Sequence, residues 1–283
     1  MTSVVQARDV RVLDSLGHVL VDGVSLEVPA GARVGVVGES GAGKTLLARA
    51  MLGLLPAGVR LAGAAAYVLG RDLAACTAPE LRALIGQHVG YVPQNSVAYL
   101  HPGLKVRAQI SDGYRTWNKV GRAEATSRAC ELLGAVGIAD PERVLASYPG
   151  QLSGGMRQRV TIAMALMASP ELVVADEPTA ALDALTRVHV ADLLQRVCEA
   201  RGAALLMVSH DLALVRRVCD TALVMRRGRV VERGRADEVL VRPAHPYTQA
   251  LLAAVPHVGM ARDERLPEYE DELAEAHGEG GPR

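Results

Sequence analysis

Arg33-Val34-Gly35-Val36-Val37, followed by Gly38-Glu39-Ser40-Gly41-Ala42-Gly43-Lys44-Thr45, is the stretch from which the fold is read. The first five residues form a short Val-rich run, the pattern of a strand buried in a parallel sheet. The next eight match GxxxxGK[ST]. Glycines there allow backbone angles that side chains forbid, so successive N–H groups turn inward around phosphate oxygens. After the loop, Leu47, Ala50, Met51 and Leu54 recur at helical spacing and predict a helix with one apolar face. The N-terminal end of that helix brings partial positive charge to the loop. Lys44 is placed to reach the β- and γ-phosphates of a nucleotide, and the Thr45 hydroxyl to bind Mg²⁺. Gly38, Glu39, Ser40, Gly41, Ala42, Gly43, Lys44, Thr45 and the adjoining Leu46 are the candidate nucleotide-binding residues.

Downstream, Leu172-Val173-Val174-Ala175-Asp176-Glu177 is an apolar strand ending in two carboxylates. Open α/β sheets place their ligands beyond the C-terminal ends of the strands. Asp176 would there hold Mg²⁺, directly or through water. Glu177 would orient and deprotonate an attacking water. Strand patterns at 172–175, 204–208 and 222–225 alternate with helical patterns at 185–201 and 212–219. That alternation predicts a parallel sheet with helices on both faces. Residues 4–29 alternate apolar and polar, as in Val24-Ser25-Leu26-Glu27-Val28, and predict short antiparallel strands. A phosphate loop with an acidic strand end reads as a P-loop NTPase, a class that other residues must narrow.

Leu152-Ser153-Gly154-Gly155-Met156-Arg157-Gln158-Arg159 lies just upstream of the acidic strand. It resembles the ABC signature LSGGQ-x-QR, with Met156 in the place of the usual Gln. In the ABC transporter ATPases this segment binds ATP held by the opposite subunit. The resemblance therefore implies a dimer in which Ser153, Gly154 and Gly155 address the partner's γ-phosphate. A Ser hydroxyl and glycine N–H groups at a helix start suit that task, and Ser153 caps its helix as well. Gln94, in Val92-Pro93-Gln94-Asn95, resembles the Q-loop glutamine that senses Mg²⁺ and links to the membrane partner. Ala180-Ala181-Leu182-Asp183 resembles the D-loop, with Asp183 toward the other subunit and Ala180 where Ser or Thr is common. His210, in Val208-Ser209-His210-Asp211, resembles the switch histidine that contacts the γ-phosphate. The resemblance thus implies Lys44, Gln94, Glu177 and His210 as catalytic residues and Thr45, Gln94 and Asp176 as the Mg²⁺ site. An aromatic residue that stacks on adenine in the family is missing from Asp14-Ser15-Leu16-Gly17-His18, which leaves Leu16 or His18 to pack there.

The resemblance spans residues 4–256 and points to one branch. Val37-Gly38-Glu39-Ser40-Gly41, Leu54-Leu55-Pro56-Ala57-Gly58-Val59-Arg60 and His245-Pro246-Tyr247-Thr248-Gln249-Ala250-Leu251-Leu252 look like the oligopeptide/dipeptide/nickel importers, the last as HPYT-x-x-LL. That branch implies ATP-driven uptake of small peptides, nickel or a related solute. It also implies membrane permease subunits, a second ABC ATPase (identical or different), an extracytoplasmic solute-binding protein acting indirectly, and residence on the cytoplasmic face of the membrane. The stretch Asn95-Ser96-Val97-Ala98-Tyr99-Leu100-His101-Pro102 departs from the acid and Asn-Pro of the branch, in the region that faces the permease. An exporter or resistance pump, and a soluble ABC ATPase, stay open beside this reading.

Composition narrows the rest. The 283 residues include no Phe, so the core must be aliphatic. The formal net charge is zero, without the basic excess of a nucleic-acid binder, and no nucleic-acid partner is expected. Cys76, Cys130, Cys198 and Cys219 form no CxxC pair and are expected to be buried thiols. Arg8, Asp9, Arg11 and Asp14 interrupt the first fifteen residues, so no secretory leader is expected there. No apolar run approaches the roughly 20 residues of a membrane span. The expected organisation is one ABC ATPase domain over 1–256: a RecA-like α/β core with an antiparallel β edge (1–94 and 161–240), a helical signature lobe (95–160) and the HPYT segment (241–256). An acidic, flexible tail is expected over 257–283.

Overall fold

The computed structural model describes residues 2–254 apart from Ala181, so the acidic segment 257–283 lies outside the described residues. Strands β1 (Ser3–Leu13) and β2 (Val19–Pro29) form an antiparallel pair. Their alternation buries Val5, Ala7, Val10 and Val12 against Val21, Val24, Leu26 and Val28. A shift in register between Ala7 and Val10, with Asp9 at φ 45°, lets Arg8 and Asp9 both face outward. Strand β3 (Arg33–Val37) leads through the glycine loop to helix α1 (Lys44–Ala50). Strands β4 (Arg60–Val68) and β5 (Arg71–Asp72) complete a four-stranded antiparallel sheet in the order β2-β1-β4-β5. The antiparallel strands expected as an edge are therefore a sheet of their own.

Helix α2 (Ala78–His88) starts with a capping box between Thr77 and Glu80 and ends at β6 (Val89–Val92). Five helices follow: α3 (Ser96–Tyr99), α4 (Val106–Asn118), α5 (Arg122–Ala135), α6 (Pro141–Ala146) and α7 (Gly154–Leu166). The chain then alternates: β7 (Leu172–Asp176), α8 (Ala184–Arg201), β8 (Ala204–Val208), α9 (Leu212–Val218) and β9 (Thr221–Arg226). It finishes with β10 (Arg229–Arg235), α10 (Ala236–Val239) and α11 (Pro246–Ala253). The central sheet has the order β10-β9-β3-β8-β7-β6, parallel throughout except where β10 runs antiparallel to β9.

Every residue of β7 and β8 is buried, so the sheet is covered on both faces. The pleat divides them between two cores. Leu172, Val174, Leu206 and Val208 join α1 and the antiparallel sheet; Val173, Ala175, Leu205 and Met207 join α7, α8 and α9. Three expectations change. Strand β10 was not anticipated, because Arg229, Glu232, Arg233 and Arg235 hide its period. Helix α1 stops at Ala50 because Gly53, at φ 61°, turns the chain and the Leu54 N–H closes back on the Arg49 carbonyl. Leu54 is consequently exposed and not on the apolar face. Of the cysteines only Cys198 and Cys219 are buried, and burial pushes their thiols up to about 11 and about 12; Cys76 and Cys130 are half-buried.

Candidate nucleotide site

Register brings four strand ends to one edge of the central sheet. Val36 pairs with Val208, Val208 with Asp176, and Ala175 with Val92. The segments that leave this edge are the glycine loop after β3, Gln94 after β6, Glu177 after β7, and Ser209 and His210 after β8.

The loop closes on the Lys44 ammonium, which donates to the carbonyls of Gly38 at 2.8 Å and Glu39 at 2.7 Å. Burial pulls the Lys44 pKa down, while the carboxylates of Glu177, Asp176 and Glu39 resist that shift. Gly38 has no alternative: a Cβ there would lie 2.2 Å from the Met225 carbonyl oxygen. Gly43, at φ 95°, is the N-cap of α1 and offers no side-chain cap, so the first-turn N–H groups are left for a ligand. Ser40 and Gly41 are exposed, Glu39 and Leu46 half-buried, and Ala42 buried.

From the start of α1, Thr45 Oγ1 donates to Asp176 Oδ1 at 2.8 Å. The other oxygen, Asp176 Oδ2, is buried without a hydrogen-bond partner. Burial raises the Asp176 pKa, with the Thr45 hydrogen bond and Arg49 opposing. A buried carboxylate oxygen beside a hydroxyl suits a hard divalent cation. No group of three His, Cys, Asp or Glu assembles among the described residues. A cation here would draw its remaining oxygen ligands from neutral side-chain oxygens, a bound molecule or water.

Glu177 occupies the left-handed region at φ 50°, which an L-residue adopts only when its surroundings hold it there. Its N–H donates to the Val208 carbonyl at 2.9 Å. The carboxamide of Gln158 donates to the Glu177 and Pro178 carbonyls at 3.3 Å and 2.5 Å. The buried Glu177 side chain places Oε2 2.8 Å from Nδ1 of the exposed His210. Sequence reasoning missed Gln158. Its signal was available, since residues 158, 162 and 166 share one face of α7, and a polar residue stands first in that otherwise apolar row.

Of the remaining candidates, Gln94 leaves the same sheet edge, and Ser153 and Asp183 cap helices. Ser153 caps α7, its Oγ accepting the Met156 N–H at 3.3 Å, and it is exposed together with Gly154; Gly155 is half-buried. Asp183 caps α8, accepting the Thr186 N–H at 3.0 Å, and hydrogen bonding from the Thr186 side chain, then from this N–H, lowers its pKa. Gln94 is exposed, two residues past β6. In the turn where the family has its aromatic, Leu16 is 80% exposed and His18 Nδ1 lies 2.8 Å from Asp14 Oδ2. His18 is thus the ring there that a neighbour orients.

Known proteins share this design. Two family models match, ABC transporter over residues 21–180 and oligopeptide/dipeptide transporter, C-terminal region, over 231–281. The probable peptide ABC transporter ATP-binding protein y4tR of Sinorhizobium fredii is 40% identical over 247 residues, covering 87% of this chain and 74% of the relative. The dipeptide transport ATP-binding protein DppD of Escherichia coli is 40% identical over 243 residues, covering 86% and 74%. The ATP-binding cassette MJ0796, solved as a dimer in a post-hydrolysis state bound to ADP and Pi, superposes with a TM-score of 0.75 at 26% identity, covering 82% of this chain and 98% of its own. No described helix is long and apolar enough to cross a membrane. At this identity and coverage the chain belongs to the ATP-binding, ATP-hydrolysing subunits of ABC transporters, in the oligopeptide/dipeptide group.

Proposed function

We propose that the chain powers the uptake of small peptides. It would work as one of two cassettes beneath membrane permeases, on the cytoplasmic face of the membrane, with solute delivered by an extracytoplasmic binding protein. The observation that carries the peptide assignment is the C-terminal segment, which matches the peptide-transporter region over 231–281 and seats Tyr247 against the phosphate loop. Both y4tR and DppD carry peptide or dipeptide transport in their names.

In this reading Lys44 binds the β- and γ-phosphates of ATP, and N–H groups of the glycine loop and the start of α1 surround them. Thr45, Asp176 and Gln94 hold Mg²⁺, which when bound offsets the charge on the phosphates. Glu177 orients the attacking water and takes its proton, steadied by His210. Ser153, Gly154 and Gly155 address the nucleotide of the partner cassette, and Asp183 lies toward the same partner. A divided site makes ATP bind the closed pair better than the open one, so its loss lets the subunits part. The helices between 95 and 160 form the lobe that presents the signature. The test is reconstitution with the cognate permeases and binding protein in liposomes. ATP-dependent accumulation of labelled dipeptide on the binding-protein side is expected, with labelled Ni²⁺ as the comparison. Accumulation of Ni²⁺ but not peptide, or movement in the opposite direction, would overturn the assignment.

A further inference from the structure

The peptide unit between Gly38 and Glu39 is held at both ends. Its carbonyl accepts from Lys44 Nζ at 2.8 Å, and its N–H donates to the Tyr247 hydroxyl at 3.1 Å. A trans peptide points these two groups in opposite directions, so Lys44 and Tyr247 grip it from opposite sides. Tyr247 belongs to α11, 208 residues along the chain from Glu39. Its ring is fully buried, with the Arg226 guanidinium 5.3 Å from its centroid. Arg226 follows Met225, whose carbonyl oxygen leaves no room for a side chain at Gly38. The start of α11 is itself tied down. His245 Nδ1 accepts the Tyr247 N–H at 3.1 Å, and the His245 N–H donates to Glu232 of β10 at 3.2 Å.

We infer that Tyr247 is a positioning residue for the phosphate loop, keeping the Gly38–Glu39 peptide turned when Lys44 releases it. The inference rests on reading 38–45 as that loop. An ammonium has three N–H donors, and two of those on Lys44 are spent on the Gly38 and Glu39 carbonyls. Reaching both the β- and γ-phosphates takes two donors, so besides the free one at least one of these two must leave its carbonyl. The hydrogen bond that the Glu39 N–H donates to Tyr247 then remains as the hold from outside the loop. Without it the N–H groups that face phosphate have to be ordered again at each binding event, and affinity falls. The C-terminal segment thereby sets nucleotide affinity without touching the nucleotide.

Tyr247→Phe removes the hydroxyl and keeps the buried ring and its stacking with Arg226. The expected result in the full-length purified chain is a rise of ~3–10-fold in the Kd of a fluorescent ATP analogue and in the KM for ATP, with kcat at saturation within about twofold. Thr248→Val is the control. That hydroxyl lies on the same helix, equally buried, without a hydrogen-bond partner among the described residues, and its removal should leave Kd unchanged. A purely structural role for Tyr247 would lower the melting temperature and the active fraction without moving Kd. Lys44→Ala separates the two readings. An unchanged Kd in Tyr247→Phe together with lost binding in Lys44→Ala overturns the inference alone. Unchanged binding in both variants overturns the loop reading beneath it.

Discussion

Nδ1 of His210 stands 2.8 Å from Oε2 of Glu177, joining the ends of the neighbouring strands β8 and β7 across the edge where the glycine loop emerges. Glu177 is buried and His210 largely exposed, so the histidine fixes the direction of the carboxylate from the solvent side. Glu177→Gln keeps this geometry and removes the base. The variant is expected to bind ATP with near-native affinity and to hydrolyse it at least ~100-fold more slowly. Full turnover in the purified variant would strip Glu177 of that role.

The signature residues carry a different expectation. The hydroxyl of Ser153 is engaged at the start of its own helix, and the residue is otherwise open to solvent. A bulky cation there has nothing to displace within the chain. Ser153→Arg should therefore leave ATP binding to the isolated subunit unchanged and block hydrolysis by the assembled pair by about 100-fold or more. Mixing it with Glu177→Gln subunits gives a stricter check. If sites are shared, one of the two composite sites receives both lesions and the other neither, and partial turnover returns. No recovery on mixing would argue against a divided site.

The strand ends were legible because their residues carry two signals at once. In 33–45 and 172–177 an apolar run stops at groups whose chemistry has few uses, and the run length dictates a buried parallel strand. Helix α5 was legible as well, since Ala125, Ala129, Leu132 and Leu133 hold one face and all four are buried. Strand β10 was not, because Arg229, Glu232, Arg233 and Arg235 break any apolar alternation in a strand that pairs only along β9. The partners of Gln158 and Tyr247 were hidden for a different reason. Each acts through the main chain of a segment far away in sequence, and no local pattern encodes a partner 19 or 208 residues distant.

Asp176 links the site to stability. Burial raises its pKa above the ordinary carboxylate value, so the folded chain keeps a proton that the unfolded chain has already lost. Stability then falls as pH rises from the ordinary carboxylate range through the raised value, and above it the ionised group is a standing cost unless a cation is bound. Asp176→Asn removes the charge at nearly constant shape. Without nucleotide or Mg²⁺, the variant should melt above the unaltered chain at about pH 8, and the gap should close as pH is lowered through that window. With ATP and Mg²⁺ present the order should reverse, because the variant loses the stabilisation that a bound ligand confers. Scanning calorimetry across pH checks both. A variant that melts lower at every pH without ligand would contradict the account.

Gln158 holds the turn that aims Glu177. It is fully buried in α7 and donates to two successive carbonyls, those of Glu177 and Pro178, beside a residue at φ 50°. Gln158→Leu fills similar volume and deprives both carbonyls of a donor in a place water does not reach. The expected loss of stability is about 1–3 kcal/mol, read from denaturant unfolding. The kinetic effect should be separable from it. Thr45, Lys44 and Asp176 keep their contacts, so ATP affinity should hold, whereas the left-handed backbone at Glu177 is free to relax and carry the carboxylate off line. Turnover per folded molecule should fall by about tenfold or more, the usual penalty for a displaced catalytic group. If turnover falls only in proportion to the folded fraction, Gln158 supports the fold alone and the aim of Glu177 is set elsewhere.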